Sequence, residues 1–238
     1  MTEDNVVDKK TVLVTGGASG IGRAIVRKFA TLGANVAIVD VDEAKGNTTL
    51  ISLQEISDRV RFLSADVGDT DVLPSVVDRV VEAFGSLDVL INNAATKGSV
   101  APLLDFPLPE FVSVLGANLI GPFRLAQLAA KQMVQQETKG TIINVLTIQT
   151  RSPLPGHSAY VASKGGLEAL TLSMAVDLAD QGIRVNGIQV GYVLSDSFRE
   201  LLGEEEGEVP TLLGRMGKPE EIAEVAAFLA SEKASFLT

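Results

Sequence analysis

Short apolar runs alternate along this chain with longer stretches in which apolar positions recur at helical spacing. The runs at residues 11–15, 35–40, 61–65, 87–91, 141–146 and 183–190 predict six strands. Helices are predicted over residues 21–32, 72–84, 110–134, 158–178 and 219–229. The third of the intervening stretches shows the pattern well, with Val72, Val76, Val77, Val80, Val81 and Phe84 on one face. Pro219, followed by Glu220 and Glu221, marks the first turn of the last helix. Strand and helix in alternation predict an α/β fold: a doubly wound parallel sheet in three layers, with helices on both faces. No internal repeat or linker suggests a second domain, so residues 1–238 are expected to form one.

Composition narrows the functional classes. With 46% apolar and 21% charged residues, the 238-residue chain has the make-up of an ordered globular protein with a substantial core. The net charge of -10 argues against nucleic acid or an anionic membrane as a partner, since either would want a basic face. Absence of cysteine excludes disulfides and thiolate metal sites, and the single histidine, His157, cannot build a zinc site; a carboxylate magnesium site is the one alternative to the expectation of no metal. The polar, acidic start Met1-Thr2-Glu3-Asp4-Asn5 is unlike a signal peptide, and no unbroken apolar run approaches the ~18 residues of a membrane span. A soluble, cytoplasmic protein is expected.

Two local patterns carry chemistry. Tyr160 and Lys164 stand four apart on one helix face. A phenol is a poor base at neutral pH, and a fixed ammonium one turn away favours its phenolate. The turn Thr15-Gly16-Gly17-Ala18-Ser19-Gly20-Ile21-Gly22 lies between the first strand and the first helix. Its glycines let a pyrophosphate approach the backbone, and the helix then points its amides and positive dipole end at the phosphates. Asp40, about 20 positions on, ends the second strand, where a carboxylate accepts hydrogen bonds from the adenosine ribose and repels a 2′-phosphate. Neither Ser19 nor Val41 supplies positive charge for that phosphate, so NAD(H) is expected in preference to NADP(H). The competing role for Asp40 is the N-cap of the following helix.

With these residues the chain resembles the short-chain dehydrogenase/reductase family of the single-domain, Rossmann-like type. The signposts run in order from the Thr15 turn through Asp66-Val67, Asn92-Asn93-Ala94-Ala95, Asn118, Tyr160-x-x-x-Lys164 and Asn186. The resemblance implies a catalytic set of Tyr160, Lys164, Asn118 and, 13 residues before the tyrosine, Thr147 where the family normally has serine. It implies a cofactor set of Gly16, Ser19, Gly20, Ile21, Gly22, Asp40, Asp66, Val67, Asn92, Ala94, Val193 and Ser195, together with Tyr160 and Lys164. Asp66 and Val67 would contact adenine, Asn92 would lie by the adenosine ribose, and Asn118 would help a water chain feed protons to Lys164. The implied reaction moves a hydride between the nicotinamide and a secondary alcohol or ketone, with Tyr160 as general acid and base. Two other readings share the residues: an epimerase or dehydratase, and a non-catalytic NAD(H)-binding regulator or scaffold.

The chain departs from the family in four places. Thr147 adds a methyl and a stiffer χ1 to the serine's hydroxyl. Val190 replaces a proline before Gly191, which leaves that turn less rigid. Ala95 replaces a glycine, a mild change unless that backbone needs positive φ. The sequence stops at Thr238, where a seventh strand would begin: either it is cut there, or the molecule lacks that final edge strand and the contacts such a strand gives a homodimer or homotetramer. Residues 96–104, 149–157 and 192–210 are expected to line the substrate pocket, with the acidic stretch 200–210 as a mobile loop or lid. His157 is expected at a loop-to-helix junction.

Overall fold

In a computed structural model that describes residues 7–196 and 211–238, six parallel strands form one sheet in the order β3-β2-β1-β4-β5-β6. The strands are β1 (Thr11–Thr15), β2 (Asn35–Asp40), β3 (Val60–Ser64), β4 (Val89–Asn92), β5 (Thr141–Thr147) and β6 (Arg184–Val190). Alternate side chains along them enter two cores. Val12, Val14, Val36, Ile38, Ile91, Ile143 and Ile188 pack against one helix layer, made by α1 (Gly20–Thr31), α2 (Glu43–Leu53) and α7 (Pro219–Leu229). Leu13, Ala37, Val39, Leu63, Leu90 and Ile142 face the other, made by α3 (Leu73–Phe84), α5 (Gly121–Gln135) and α6 (Ser158–Leu178). Burial on both faces explains why the strands read as continuous apolar runs rather than alternating ones. The predicted three-layer, doubly wound architecture is what forms.

Two elements differ from their predicted form. The helix expected over residues 110–134 is instead α4 (Leu108–Leu115), a π turn at Gly116–Ile120, and α5. The whole run Leu108–Gln135 is long and apolar enough to cross a membrane by length and composition, with a mean hydropathy of 1.3 over its most apolar window. It lies instead in a helix layer, where Leu125, Ala126, Ala129 and Met133 are buried on the sheet. The second helix, α2, has no predicted counterpart because Gly46 and Thr49 replace large apolar residues on its buried face. A Cβ at position 46 would run into the Phe62 ring, so the glycine sets how closely α2 lies on β3.

The sheet order reverses between β1 and β4, and the carboxyl ends of these strands open a crevice there. Thr15, Asp40, Asn92 and Thr147 all end strands on this rim. Among the described residues no seventh strand covers β6. Its first turn of backbone meets Thr238, whose Oγ1 accepts from the Val185 amide at 3.0 Å, and Leu237, whose carbonyl accepts from Asn186 Nδ2 at 2.9 Å.

Candidate active site

The glycine-rich turn is held from both sides. The Gly16 amide donates to Val39 O at 2.8 Å, and the Ala18 amide to Asp40 Oδ2 at 3.0 Å. From the β4 side, Asn93 Nδ2 donates to Thr15 O at 2.9 Å and to Gly16 O at 3.1 Å, while Thr15 Oγ1 accepts from the Asn93 and Ala94 amides. Gly20 has a φ of 51°, a left-handed conformation that glycine takes at no steric cost. At Gly22 a Cβ would overlap the Gly16 carbonyl oxygen and crowd Asn93 Nδ2, so the first turn of α1 lies directly on the strand turn. Ser19 is the N-cap in extended conformation, its hydroxyl makes no capping bond, and no acidic residue follows in the first turn. No carboxylate within the first turn faces the amino end of α1; the one that reaches it is Asp196, which accepts from the Gly20 amide at 3.0 Å.

Gly22→Ala is expected to cost about 1–3 kcal/mol through this overlap, because backbone rather than a flexible side chain would have to give way. Thermal unfolding should show a midpoint lower by about 2–4 °C per kcal/mol. An unchanged midpoint would mean that the turn is not packed as described.

Asp40 is half-buried, with Oδ2 on Ala18 and Oδ1 accepting from the Asp42 amide at 3.1 Å. It is not the cap of the next helix. Asp42 has that role, its Oδ1 accepting from the Lys45 amide at 2.9 Å. Asp66 is exposed on the same rim and closes a local turn by accepting from the Gly68 amide at 2.8 Å, whereas the Val67 side chain is buried in the second core. Asn92 is fully buried, and its Nδ2 donates to Asn144 Oδ1 at 2.9 Å, which turns the amide into the sheet layer; its Oδ1 has no hydrogen-bond partner. Asn93, its neighbour in the Asn92-Asn93-Ala94-Ala95 motif and given no role by the resemblance, is the residue that reaches the glycine-rich turn. Ala94 sits against Gly16, and Ala95 is not among the described non-glycine residues with positive φ, so its replacement of glycine is mild.

The second cluster lies across the crevice. Thr147 ends β5 and is buried, and the amino end of α6 brings Tyr160 to it. Burial pushes the Tyr160 phenol above its ordinary range, and a hydrogen bond with the Thr147 hydroxyl pulls it partly back. Thr147 Oγ1 also accepts from the Gln149 amide at 3.3 Å. Gln189 Nε2 and Thr150 Oγ1 both donate to Thr147 O, at 2.8 and 3.2 Å, fixing the strand end. Lys164 is 2% exposed, donates from Nζ to Val145 O at 2.7 Å, and has its pKa lowered to about 8 by burial.

Asn118 lies in the π turn, fully buried, and its amide is saturated. Its Oδ1 accepts from the Thr96 amide at 2.8 Å, and Nδ2 donates to Thr96 O at 2.7 Å and to Ser163 Oγ at 3.0 Å. It ties the loop after β4 to α6 one residue before Lys164. That loop meets the predicted opposite wall through the Ala101 amide, which donates to Gly156 O at 3.3 Å. His157 is at the N-cap position of α6 with Nδ1 2.9 Å from Pro155 O, at the junction expected for it. Val193 pairs with Gly217 in a parallel bridge, and the Ser195 amide donates to Val193 O at 2.8 Å. The acidic stretch 200–210 lies outside the described residues. No group of three or more histidine or carboxylate side chains among the described residues is arranged to hold a metal.

Residues 16–238 match the profile of a family described as enoyl-(acyl carrier protein) reductase. The chain is 35% identical to short chain dehydrogenase/reductase astE of Aspergillus oryzae over 96% of its own length and 90% of that protein. It is 33% identical to glucose 1-dehydrogenase 2 of Bacillus subtilis, again over 96% of this chain and 90% of the relative. A crystal structure of NAD+-bound xylitol dehydrogenase superposes with a TM-score of 0.88 at 32% identity, covering 97% of this chain and 95% of that one. With the motifs in place at the carboxyl rim of the sheet and relatives this similar along nearly the whole chain, the protein belongs to the short-chain dehydrogenase/reductase family of oxidoreductases.

Proposed function

We propose that this protein is an NAD(H)-dependent oxidoreductase that interconverts a secondary alcohol and its ketone, with Tyr160 as the general acid and base. The carrying observation is the Tyr160–Thr147 hydroxyl pair at the end of β5, beside buried Lys164. Two hydroxyls at one point suit a single substrate oxygen on the reacting carbon, such as a carbinol or carbonyl carries. The relatives' names span both chemistries, and this pair favours the alcohol–ketone reading.

The residues present fit a dinucleotide. The packed contact between Gly16 and Gly22 brings the amino end of α1 directly onto the strand turn, as a pyrophosphate-binding turn requires, and the carboxylate of Asp40 lies beside that turn. When bound, the nicotinamide accepts or returns the hydride. Tyr160 takes the proton from the substrate hydroxyl in oxidation and gives it back in reduction. Thr147 donates to the same oxygen and orients it. Lys164, with a pKa of about 8, is mostly cationic at neutral pH and supplies positive charge one helical turn from the phenol. Asn118 holds the loop after β4 against α6 and so keeps the proton path behind Lys164 in shape. Asp66 and Val67 serve the adenine end, with Ala94, Val193 and Ser195 lining the remainder, while buried Asn92, bonded to Asn144, stands behind that wall.

We read the assembly as a homodimer or homotetramer in the cytoplasm, built on the α5/α6 face. That face exposes Ile120, Phe123, Val134, Leu172 and Val176 to solvent in the single chain.

Titration of NADH and NADPH into wild type and Asp40→Ala, followed by nucleotide fluorescence, tests the cofactor assignment. Wild type should favour NADH by at least ~10-fold, and the variant should narrow that gap by gaining NADPH affinity. No gain would remove Asp40 as the selector. A panel of polyols, ketoses and cyclic ketones then tests catalysis, and NADH binding with no turnover anywhere would reassign the protein as a nucleotide-binding regulator.

A further inference from the structure

The segment after β6 is tied down at both ends. On one side the Leu194 amide donates to Gly217 O at 2.9 Å, and the Gly217 amide donates to Tyr192 O at 2.9 Å, around the Val193–Gly217 bridge. Gly217 leads into α7, which packs on α1 with Lys28 and Glu224 paired at 2.6 Å. On the other side the segment crosses the crevice mouth to α1. Asp196 Oδ2 accepts from the Gly20 amide at 3.0 Å, and Arg23 Nη2 stands 3.0 Å from the same oxygen and 3.2 Å from Oδ1. Ser195 lies against Gly20, with Cβ 3.3 Å from where a Gly20 Cβ would be.

We propose that Asp196 is a positioning residue that locks the nicotinamide half of the cofactor site to the phosphate half. This rests on the nucleotide reading above. Val193 and Ser195 belong to one half, and the Gly20 turn to the other. Val190 stands where a proline would stiffen the exit from β6, and the bridge to Gly217 anchors Val193 on the α7 side only. Asp196 adds the constraint on the α1 side. Most of its hold comes from the charge-assisted bond to the Gly20 amide at the positive end of α1. The Arg23 pair adds little by itself, because both side chains are about half exposed and the pair is screened. Its use is to neutralise Asp196, so that a carboxylate beside the phosphates does not repel them.

The test compares two probes on wild type, Asp196→Ala and Asp196→Asn. NADH spans both halves, and AMP occupies only the adenosine-phosphate half. Asp196→Ala should weaken NADH about tenfold or more and leave AMP within about twofold, since pre-organisation is lost only across the tie. Asp196→Asn keeps an acceptor for Gly20 but not the charge, and should fall between wild type and alanine. AMP affinity serves as the check that each variant is folded at the glycine turn. Equal losses for NADH and AMP would make Asp196 a merely structural residue and overturn the proposal. Unchanged NADH affinity would overturn it too, and tighter NADH binding would show Asp196 to be a competing anion instead. Failure of wild type itself to bind NADH would be a different result, sinking the nucleotide reading on which the tie depends.

Discussion

Tyr160→Phe is expected to lower turnover at least ~10³-fold while NADH affinity stays within about threefold. The substitution removes one oxygen and keeps the ring, which packs at the amino end of α6. What disappears is the only phenol in the cluster and the partner of the Thr147 hydroxyl. Because the phenol's pKa is raised by burial, oxidation in the wild type should speed up with rising pH as more phenolate forms, and the variant should lose this dependence. Steady-state rates across pH, with NADH titration as the control, check both statements. A variant retaining a tenth or more of wild-type turnover would take Tyr160 out of the proton step.

Lys164→Met is expected to do two opposite things: abolish turnover to a similar degree and raise thermal stability. Burial lowers the ammonium's pKa to about 8 in the folded protein, against ~10.4 in an unfolded chain. Below pH 8 both states carry the charge, and the folded state bears the whole desolvation cost, on the order of 3 kcal/mol. Between pH 8 and ~10.4 the unfolded state binds the proton that the folded state has released, so wild-type stability rises with pH across that window. Methionine removes the charge with little change of volume, but leaves Val145 O without the Nζ donor, which returns roughly 1–2 kcal/mol. The net gain at pH 7 is about 1–2 kcal/mol, or about 2–4 °C in Tm per kcal/mol. The advantage over wild type should shrink as the pH approaches 10. A variant less stable than wild type at pH 7 would mean that Lys164 is held by more than the Val145 carbonyl. Retention of such a lysine at a cost to stability is what a site selected for chemistry would show.

Much of this was legible in the sequence because its signals are local. Strands buried on both faces announce themselves as apolar runs, and β1, β2, α6 and α7 fall where the pattern places them. Thr147 ends β5 and Tyr160 lies in the first turn of α6, consecutive elements joined by a single connection, so their sequence spacing was informative. Features fixed by distant partners were not legible. The π turn at Gly116–Ile120 keeps the same composition as the helix around it, and only the tertiary demand that Asn118 reach both Thr96 and Ser163 distinguishes it. The clamp of Asn93 on Thr15 and the tie from Asp196 to Gly20 join residues far apart in the chain, which no window of the sequence brings together. α2 escaped because its buried face uses a glycine and a threonine in place of large apolar residues.

Hydride and proton transfer meet in one measurement. NADH deuterated at its transferable position, mixed with members of a ketose and cyclic-ketone panel in a single turnover, should yield an alcohol with deuterium on the carbinol carbon. Wild type should do this with at least one ketone, and Tyr160→Phe should bind the same NADH yet transfer no label on that timescale. Tight NADH binding with no label in any product, or transfer by Tyr160→Phe at the wild-type rate, would contradict the central claim.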